Sequence, residues 1–212
     1  MEIYEQDDLK FYTRGDWDRY IIQDELKGKM YHFPDKMETV LDIGAHIGGT
    51  TILCASKGAE VYAYEPHKEN FDLLVKNVEL NNLQNKVHCF NQGIGGKTEK
   101  RKLWLFLDNT GMPSMMEEMY TQERKDFIWI DIIPFSEVIA QKDHWDFVKI
   151  DCEGAEYEFL LDLKEEDAKK IDNISAEIHF TDNEKIVNRL KQFYQVDYSP
   201  NPSNIFVNCK RE

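Results

Sequence analysis

A chain of 212 residues has the size of one domain with some decoration. Its 42% hydrophobic and 12% aromatic content supplies a core and excludes wholesale disorder. With 40 acidic residues against 26 basic ones the net charge is −14, a field that repels phosphate backbones and argues against sequence-independent nucleic-acid binding. The opening MEIYEQDDLK lacks an apolar signal core, and no stretch approaches the ~18 apolar residues of a membrane span, so a cytoplasmic location is expected. Cys54, Cys89, Cys152 and Cys209 stand too far apart for local metal knuckles or redox pairs and read as buried free thiols.

Residues 1–38 form an aromatic-rich preamble in which Trp17, Tyr20 and Ile21 stand at helical spacing. A short covering helix packed through those three is expected, ahead of one domain over 39–212. TVLDI (39–43) and EVYAY (60–64) read as buried strands, with a helix from about Gly49 to Gly58 between them. NFDLLVKNVELNN (70–82) places Phe71, Leu74, Val75, Val78 and Leu80 largely on one helical face, and VHCFN (87–91) is the third strand. The alternation then breaks. KLWLFLD (102–108) and FIWIDII (127–133) are strand-like runs, read as an inserted pair within about 101–133, joined by a Met-rich loop from Met112 to Met119. The loop Asn109–Tyr120 is the candidate substrate lid.

A helix is expected over 134–141, a buried strand at 146–151 and an amphipathic helix at 155–164. A strand at 174–180 and a helix at 183–194 follow. The runs 195–199 and 204–210, linked by Pro200 and Pro202, read as an antiparallel edge pair. Strands alternating with helices at this pace mean crossover units and a parallel sheet. The expected fold is therefore α/β: a Rossmann-like, doubly wound, mostly parallel sheet in three α/β/α layers, with an antiparallel pair at its C-terminal edge.

In such sheets ligands bind beyond the carboxyl ends of the strands, where Asp42-Ile-Gly44-Ala45-His46-Ile-Gly48-Gly49 joins the first strand to the first helix. A dinucleotide fingerprint would need glycines at 44, 46 and 49, and position 46 is histidine. No Walker Gly-Lys-Ser/Thr occurs either. A loop that holds a carboxylate and an amine fits better than one that holds two phosphates, and the methionine end of S-adenosylmethionine offers that pair. Glu65, followed by Pro66, ends the second strand at about the 20-residue offset where an acid accepts ribose hydroxyls. Asn91-Gln92 ends the third strand, where side-chain amides would meet an adenine ring. The cofactor contacts expected are thus Asp42, Gly44, Ala45, His46, Gly48, Glu65, Pro66, Asn91 and Gln92.

On VLDIGAHIGGTT, VYAYEPHKENFDLLVKNVELNN, FIWIDIIPFSEVI, FVKIDCEGAEYEFL and ISAEIHF, the chain resembles the FkbM-type family of class I S-adenosylmethionine-dependent methyltransferases over about residues 39–180. The resemblance implies Asp42, Gly44, Gly48 and Glu65 as cofactor contacts and a hydroxyl acceptor, often on a sugar or polyketide. Where such families carry glycine or asparagine, this chain has His46.

Methyl transfer needs alignment and, for a hydroxyl acceptor, a base. The carboxyl ends of the later strands supply candidates: Asp151 first, then Glu153 and His179, with Glu177 on the same side of its strand as His179. Glu156 is a further candidate at the same strand end, although it and Glu158 read more simply as acids complementing the start of a helix. An acid cluster of this kind also suits Mg²⁺, but no local ligand spacing demands it, and no metal is predicted. The strand ends Asp151-Cys152-Glu153-Gly154, without the Asn/Asp-Pro-Pro-aromatic tetrad of amino-group methyltransferases, which favours an oxygen acceptor. O-methylation of a small molecule or glycan is expected. The alternatives are an RNA or other nitrogen-acceptor methyltransferase, and a non-catalytic S-adenosylmethionine-binding protein.

Overall fold

A computed structural model of the chain describes residues 1–106, 109–114, 126–179, 183–199 and 204–211. The chain opens with a hairpin of β1 (Glu2–Gln6) and β2 (Leu9–Thr13), then α1 (Asp16–Leu26). Asp7 and Asp8 turn the hairpin with positive φ, a conformation Asp tolerates because its side chain bonds locally. The core begins with β3 (Thr39–Ile43), α2 (Gly49–Ser56), β4 (Glu60–Tyr64), α3 (Lys68–Leu80) and β5 (Val87–Phe90). Next come β6 (Gly93–Gly95), β7 (Glu99–Phe106), β8 (Asn109–Ser114), β9 (Phe127–Pro134) and α4 (Phe135–Ile139). The last part comprises β10 (Trp145–Ile150), α5 (Glu156–Leu160), α6 (Glu165–Ala168), β11 (Ile171–His179), α7 (Asn183–Leu190), β12 (Gln195–Ser199) and β13 (Asn204–Lys210).

Seven strands form one sheet in the order β12-β13-β11-β10-β3-β4-β5. The five strands from β11 to the β5 edge are parallel, and β13 runs antiparallel to both β11 and β12. After β3 the chain builds outward through β4 and β5, then returns to the other side of β3 with β10. That reversal opens a crevice at the carboxyl ends of β3 and β10. Alternation along β3 and β10 separates two cores. Leu41, Ile43, Val148 and Ile150 face one cluster with α4, α5 and α7, while Val40 and Phe147 face the other with α1, α2 and α3. No helix among the described residues is long and apolar enough to cross a membrane.

The inserted pair is antiparallel, β7 on β9, and belongs to a second sheet ordered β6-β9-β7-β8. Residues 109–114, expected in the Met-rich loop, instead pair with β7 as a strand. The rest of that loop lies outside the described residues, as do Leu107, Asp108, Phe180, Pro200 and Pro202. The helix expected over 155–164 shortens to α5, and after an extended Lys164 the acids Glu165, Glu166 and Asp167 open a separate α6 beyond it.

Two helix faces differ from expectation for one physical reason, inward-facing polar residues that hydrogen-bond. In α1, Trp17 and Tyr20 are exposed and Ile21 is only half-buried, while Asp18, Ile22 and Glu25 face inward. In α3, Asn70 and Asn77 join Leu73, Leu74 and Val78 on the buried face. Asn77 accepts from the Tyr12 N–H at 2.6 Å and donates to the Ile47 carbonyl at 2.9 Å, tying the hairpin to the loop before α2. A hydrophobic pattern cannot register such contacts.

Candidate active site

On β3 and β10 one set of side chains points away from the aliphatic cluster and toward α1–α3. Asp42 and Lys149 are neighbours in the register, as are Lys149 and Ser175, so three polar residues cross the sheet in one rung. Residues 31–33 run over this face. Phe33 packs on Phe147, the His32 N–H donates to Ser175 Oγ at 3.2 Å, and Tyr31 Oη donates to Asp151 Oδ2 at 2.6 Å.

Lys149 is almost wholly buried. Its Nζ donates to the Gly44 carbonyl at 2.6 Å and lies 3.5 Å from Asp42 Oδ1 and 3.8 Å from Asp151 Oδ2. Burial alone would lower its pKa, but Asp42, Asp151, Glu25 and Glu65 outweigh that and raise it. Thr51 Oγ1 donates to the other oxygen of Asp42 at 2.5 Å. The buried lysine therefore clamps the end of β3, the glycine loop and the end of β10 together.

The loop after β3 needs its glycines. Gly44 has φ +76°, and a Cβ there would overlap the Asp151 carbonyl oxygen. Gly48 has φ +99°, and a Cβ there would press into Leu74. Ala45 is buried, and its N–H donates to the Tyr64 carbonyl at 3.0 Å. His46 adopts φ +50°, and its N–H donates to Glu65 Oε2 at 2.9 Å. The other Glu65 oxygen accepts from the His67 N–H at 2.8 Å. Burial pushes the Glu65 carboxyl up to about 7 against these hydrogen bonds. Asn91 Nδ2 donates to the carbonyls of Glu65 and Pro66 at 2.9 and 3.1 Å, so its amide hydrogens brace this corner and its Oδ1 is what a ligand could meet. Gln92 is half-buried one residue on.

Two further groups from the N-terminal segment, besides Tyr31, enter this site. Arg14 binds both oxygens of Asp18 at 2.9 Å, donates to Asn70 Oδ1 at 2.8 Å, and comes within 3.4 Å of His46 Nε2. Burial holds the His46 imidazole well below its ordinary pKa. Glu25 lies against Gly49 and accepts from Thr50 Oγ1 at 3.2 Å, at the start of α2. Burial pushes its carboxyl up to about 8.

The candidate catalytic residues come together. His179 Nε2 is 4.0 Å from Asp151 Oδ1, 3.6 Å from Glu153 Oε2 and 3.7 Å from Glu177 Oε1. Glu153 reaches the cluster from a backbone with φ +55°, and burial raises its pKa. Glu156, for which complementing a helix was the preferred reading, is completely buried and accepts from the Cys152 and Gly154 N–H groups at 3.0 and 2.9 Å. Its Oε1 also lies 3.1 Å from His179 Nδ1. Burial disfavours a charged His179, yet the Glu156 bond and the surrounding carboxylates prevail and hold it up to about 10.

Sequence reasoning missed Glu25, Tyr31 and Lys149, and preferred a helix-dipole reading for Glu156. For Lys149 there was a signal, a charge inside an otherwise buried strand. For Glu25 and Tyr31 there was none, because only the packed chain brings them here.

The residues fit a cationic nucleoside donor. Seven buried side-chain polar atoms among the described residues have no hydrogen-bond partner, and five of them border this crevice: Glu25 Oε2, Asp42 Oδ1, His46 Nδ1, His67 Nδ1 and Asp151 Oδ1. Three of the five are carboxyl oxygens, of which Asp42 Oδ1 also faces Lys149 Nζ at 3.5 Å.

The FkbM methyltransferase domain model matches residues 42–198. Methyltransferase 1 of Beauveria bassiana (strain ARSEF 2860) is 24% identical over 166 residues, covering 69% of this chain and 66% of that protein. The methyltransferase FkbM of Methylobacillus flagellatus KT superposes with a TM-score of 0.58 at 19% identity, over 86% of this chain and 46% of that one. A SAM-dependent methyltransferase of Agrobacterium tumefaciens gives 0.57 at 12% identity, over 100% of this chain and 70% of that one. The chain therefore spans just under two thirds of the Beauveria protein and less than half of the Methylobacillus one. The shared fold is that of class I S-adenosylmethionine-dependent methyltransferases. With most of its length matched, glycine loop and Asp151 cluster included, the chain belongs to the FkbM methyltransferase domain family.

Proposed function

We propose that this chain transfers the methyl group of S-adenosylmethionine to a hydroxyl oxygen of a small molecule or sugar. The observation that carries this reading is the junction of two sites. Gly44, in the glycine loop, abuts the Asp151 carbonyl, so the donor crevice and the carboxylate cluster at Asp151, Glu153 and His179 are contiguous. When bound, S-adenosylmethionine supplies a methyl group on a sulfonium centre, which a nucleophilic oxygen attacks in line.

Asp42, Gly44, Ala45, His46 and Gly48 would line the methionine end. Glu65 would take the ribose hydroxyls with the lone pairs left after its two backbone bonds, beside Pro66. Asn91 and Gln92 would border the base. A hydroxyl acceptor must lose a proton, and a carboxylate of the Asp151–Glu153 pair would receive it. Residues 1–38 would complete the site from above through Arg14, Glu25 and Tyr31.

A screen of hydroxylated small molecules and sugars for release of S-adenosylhomocysteine tests this reading. Turnover with an oxygen acceptor supports it. Turnover confined to amines or RNA, or donor binding without turnover on any acceptor class, would overturn it.

A further inference from the structure

Glu25 is the acid that α1 turns inward without an ionic partner. Asp18, on the same buried face, is gripped through both oxygens by Arg14. Glu25 is only 3% exposed, and among the described residues no lysine or arginine nitrogen lies within ion-pair distance of it. Its Oε1 accepts from Thr50 Oγ1 at 3.2 Å, while its Oε2 is wholly buried and has no hydrogen-bond partner. A polar oxygen in that state costs free energy until a donor group meets it.

The unmatched oxygen sits at the loop proposed to carry the donor. Oε2 fills the space that a Cβ on residue 49 would take, so the carboxyl reaches this point only because Gly49 has no side chain. Gly49 opens α2, and Gly48 ahead of it gives that helix no side-chain cap. The start of α2 thus offers backbone N–H groups and partial positive charge to an anion, beside a carboxyl oxygen for a cation. The methionine end of S-adenosylmethionine bears both, a carboxylate and an ammonium on the same carbon. Lys149 faces the Glu25 carboxyl from β10, Asp42 from β3 and Asp151 from the end of β10, with Tyr31 and Cys54 also in its field. One lysine against these three acids leaves a further positive charge to be supplied. In the free chain a proton on Glu25 supplies it, because burial pushes that carboxyl up to about 8.

We propose that Glu25 binds the α-ammonium group of S-adenosylmethionine, and that donor binding drives the proton off its carboxyl. An ammonium N–H donates to Oε2 and the carboxyl proton leaves to solvent, so the charge within the site is unchanged. The exchange turns a buried, unmatched oxygen into the acceptor of a charge-assisted hydrogen bond. Glu25 plays this part only if the donor lies along the glycine loop, as proposed above.

The test is calorimetry of the full chain with S-adenosylhomocysteine, which keeps the amino group, and with its analogue that lacks it. Titrations in phosphate and in Tris, whose ionisation enthalpies differ, count the protons released. The wild-type chain should prefer S-adenosylhomocysteine by about tenfold or more, the worth of one charge-assisted hydrogen bond. At about pH 7 it should also release close to one proton more with that ligand than with the analogue. Both ligands carry the ribose hydroxyls, so any proton given up by Glu65 cancels in the comparison. Glu25→Gln keeps the shape and the bond to Thr50. It should weaken S-adenosylhomocysteine by about tenfold or more, to near the affinity of the analogue, and abolish the extra proton. The two wild-type comparisons need no variant to fold. Equal wild-type affinities, no extra proton, or a preference that survives in Glu25→Gln would each overturn the role of Glu25 and leave the donor placement standing. No binding of either ligand or of S-adenosylmethionine itself would remove the donor placement, and the role of Glu25 with it.

Discussion

Tyr31 reaches Asp151 across the face of the sheet: its phenol hydroxyl, wholly buried, donates to Oδ2 at 2.6 Å between residues 120 positions apart in the chain. The N-terminal segment thus holds the residue that stands between the donor crevice and the acceptor cluster. Burial raises the Tyr31 pKa well above its ordinary value, with Asp151, Glu177 and Glu25 adding to the effect, so the phenol stays a donor at any working pH. Tyr31→Phe should cost about 1.5–3 kcal/mol, the range for a hydrogen bond to a charged group. Turnover should fall while donor affinity stays within about twofold, because the lost contact is on the acceptor side. Thermal denaturation, calorimetry and initial rates on one preparation check all three.

Glu65 holds two backbone N–H groups and is also the proposed ribose acceptor. Glu65→Ala removes both functions, so donor affinity should drop by about tenfold or more. Unchanged affinity in a folded variant would remove the ribose from this residue.

Glu25 should give the chain a recognisable pH dependence. Its carboxyl ionises near 4.5 in an unfolded chain and is pushed up to about 8 by burial when folded, with Lys149 opposing the rise and Asp42 and Asp151 adding to it. Between those values the folded state keeps a proton that the unfolded state has lost. Its stability contribution is therefore complete below about 4.5 and drains away as the pH rises to about 8. Glu25→Gln cannot ionise, so the Tm difference between variant and wild type should move in the variant's favour by about 4 °C or more between roughly pH 5 and pH 8. A difference that stays flat over that range would show that Glu25 is charged in the fold.

Gly44→Ala should be the most damaging small substitution in the loop. The residue has φ +76°, and the added methyl would collide with the Asp151 carbonyl, which is backbone and cannot swing aside. A loss on the order of 3 kcal/mol or more is expected, with donor binding lost in whatever folds. Chemical denaturation read by tryptophan fluorescence measures it.

Where local pattern sets structure, the sequence was enough. TVLDI and EVYAY are strands at the residues expected, since both are short runs filling two faces of a buried sheet. The reach of Glu177 and His179 to one side followed from strand alternation. What escaped depended on partners far along the chain. The inward face of α1 carries Asp18 and Glu25 because Arg14 and Thr50 meet them there, and no apolar count registers that. Glu156 looked like any acid in a first helical turn until its carboxylate proved to close the Cys152–Gly154 turn and hold His179.

The central claim is that the crevice between the ends of β3, β4 and β10 binds a methyl donor. Calorimetric titration of the purified chain with S-adenosylmethionine, with NAD as the control ligand, tests it most directly. The account predicts saturable micromolar binding of S-adenosylmethionine at one site per chain and none of NAD. Binding of NAD in preference, or of neither ligand, would contradict it.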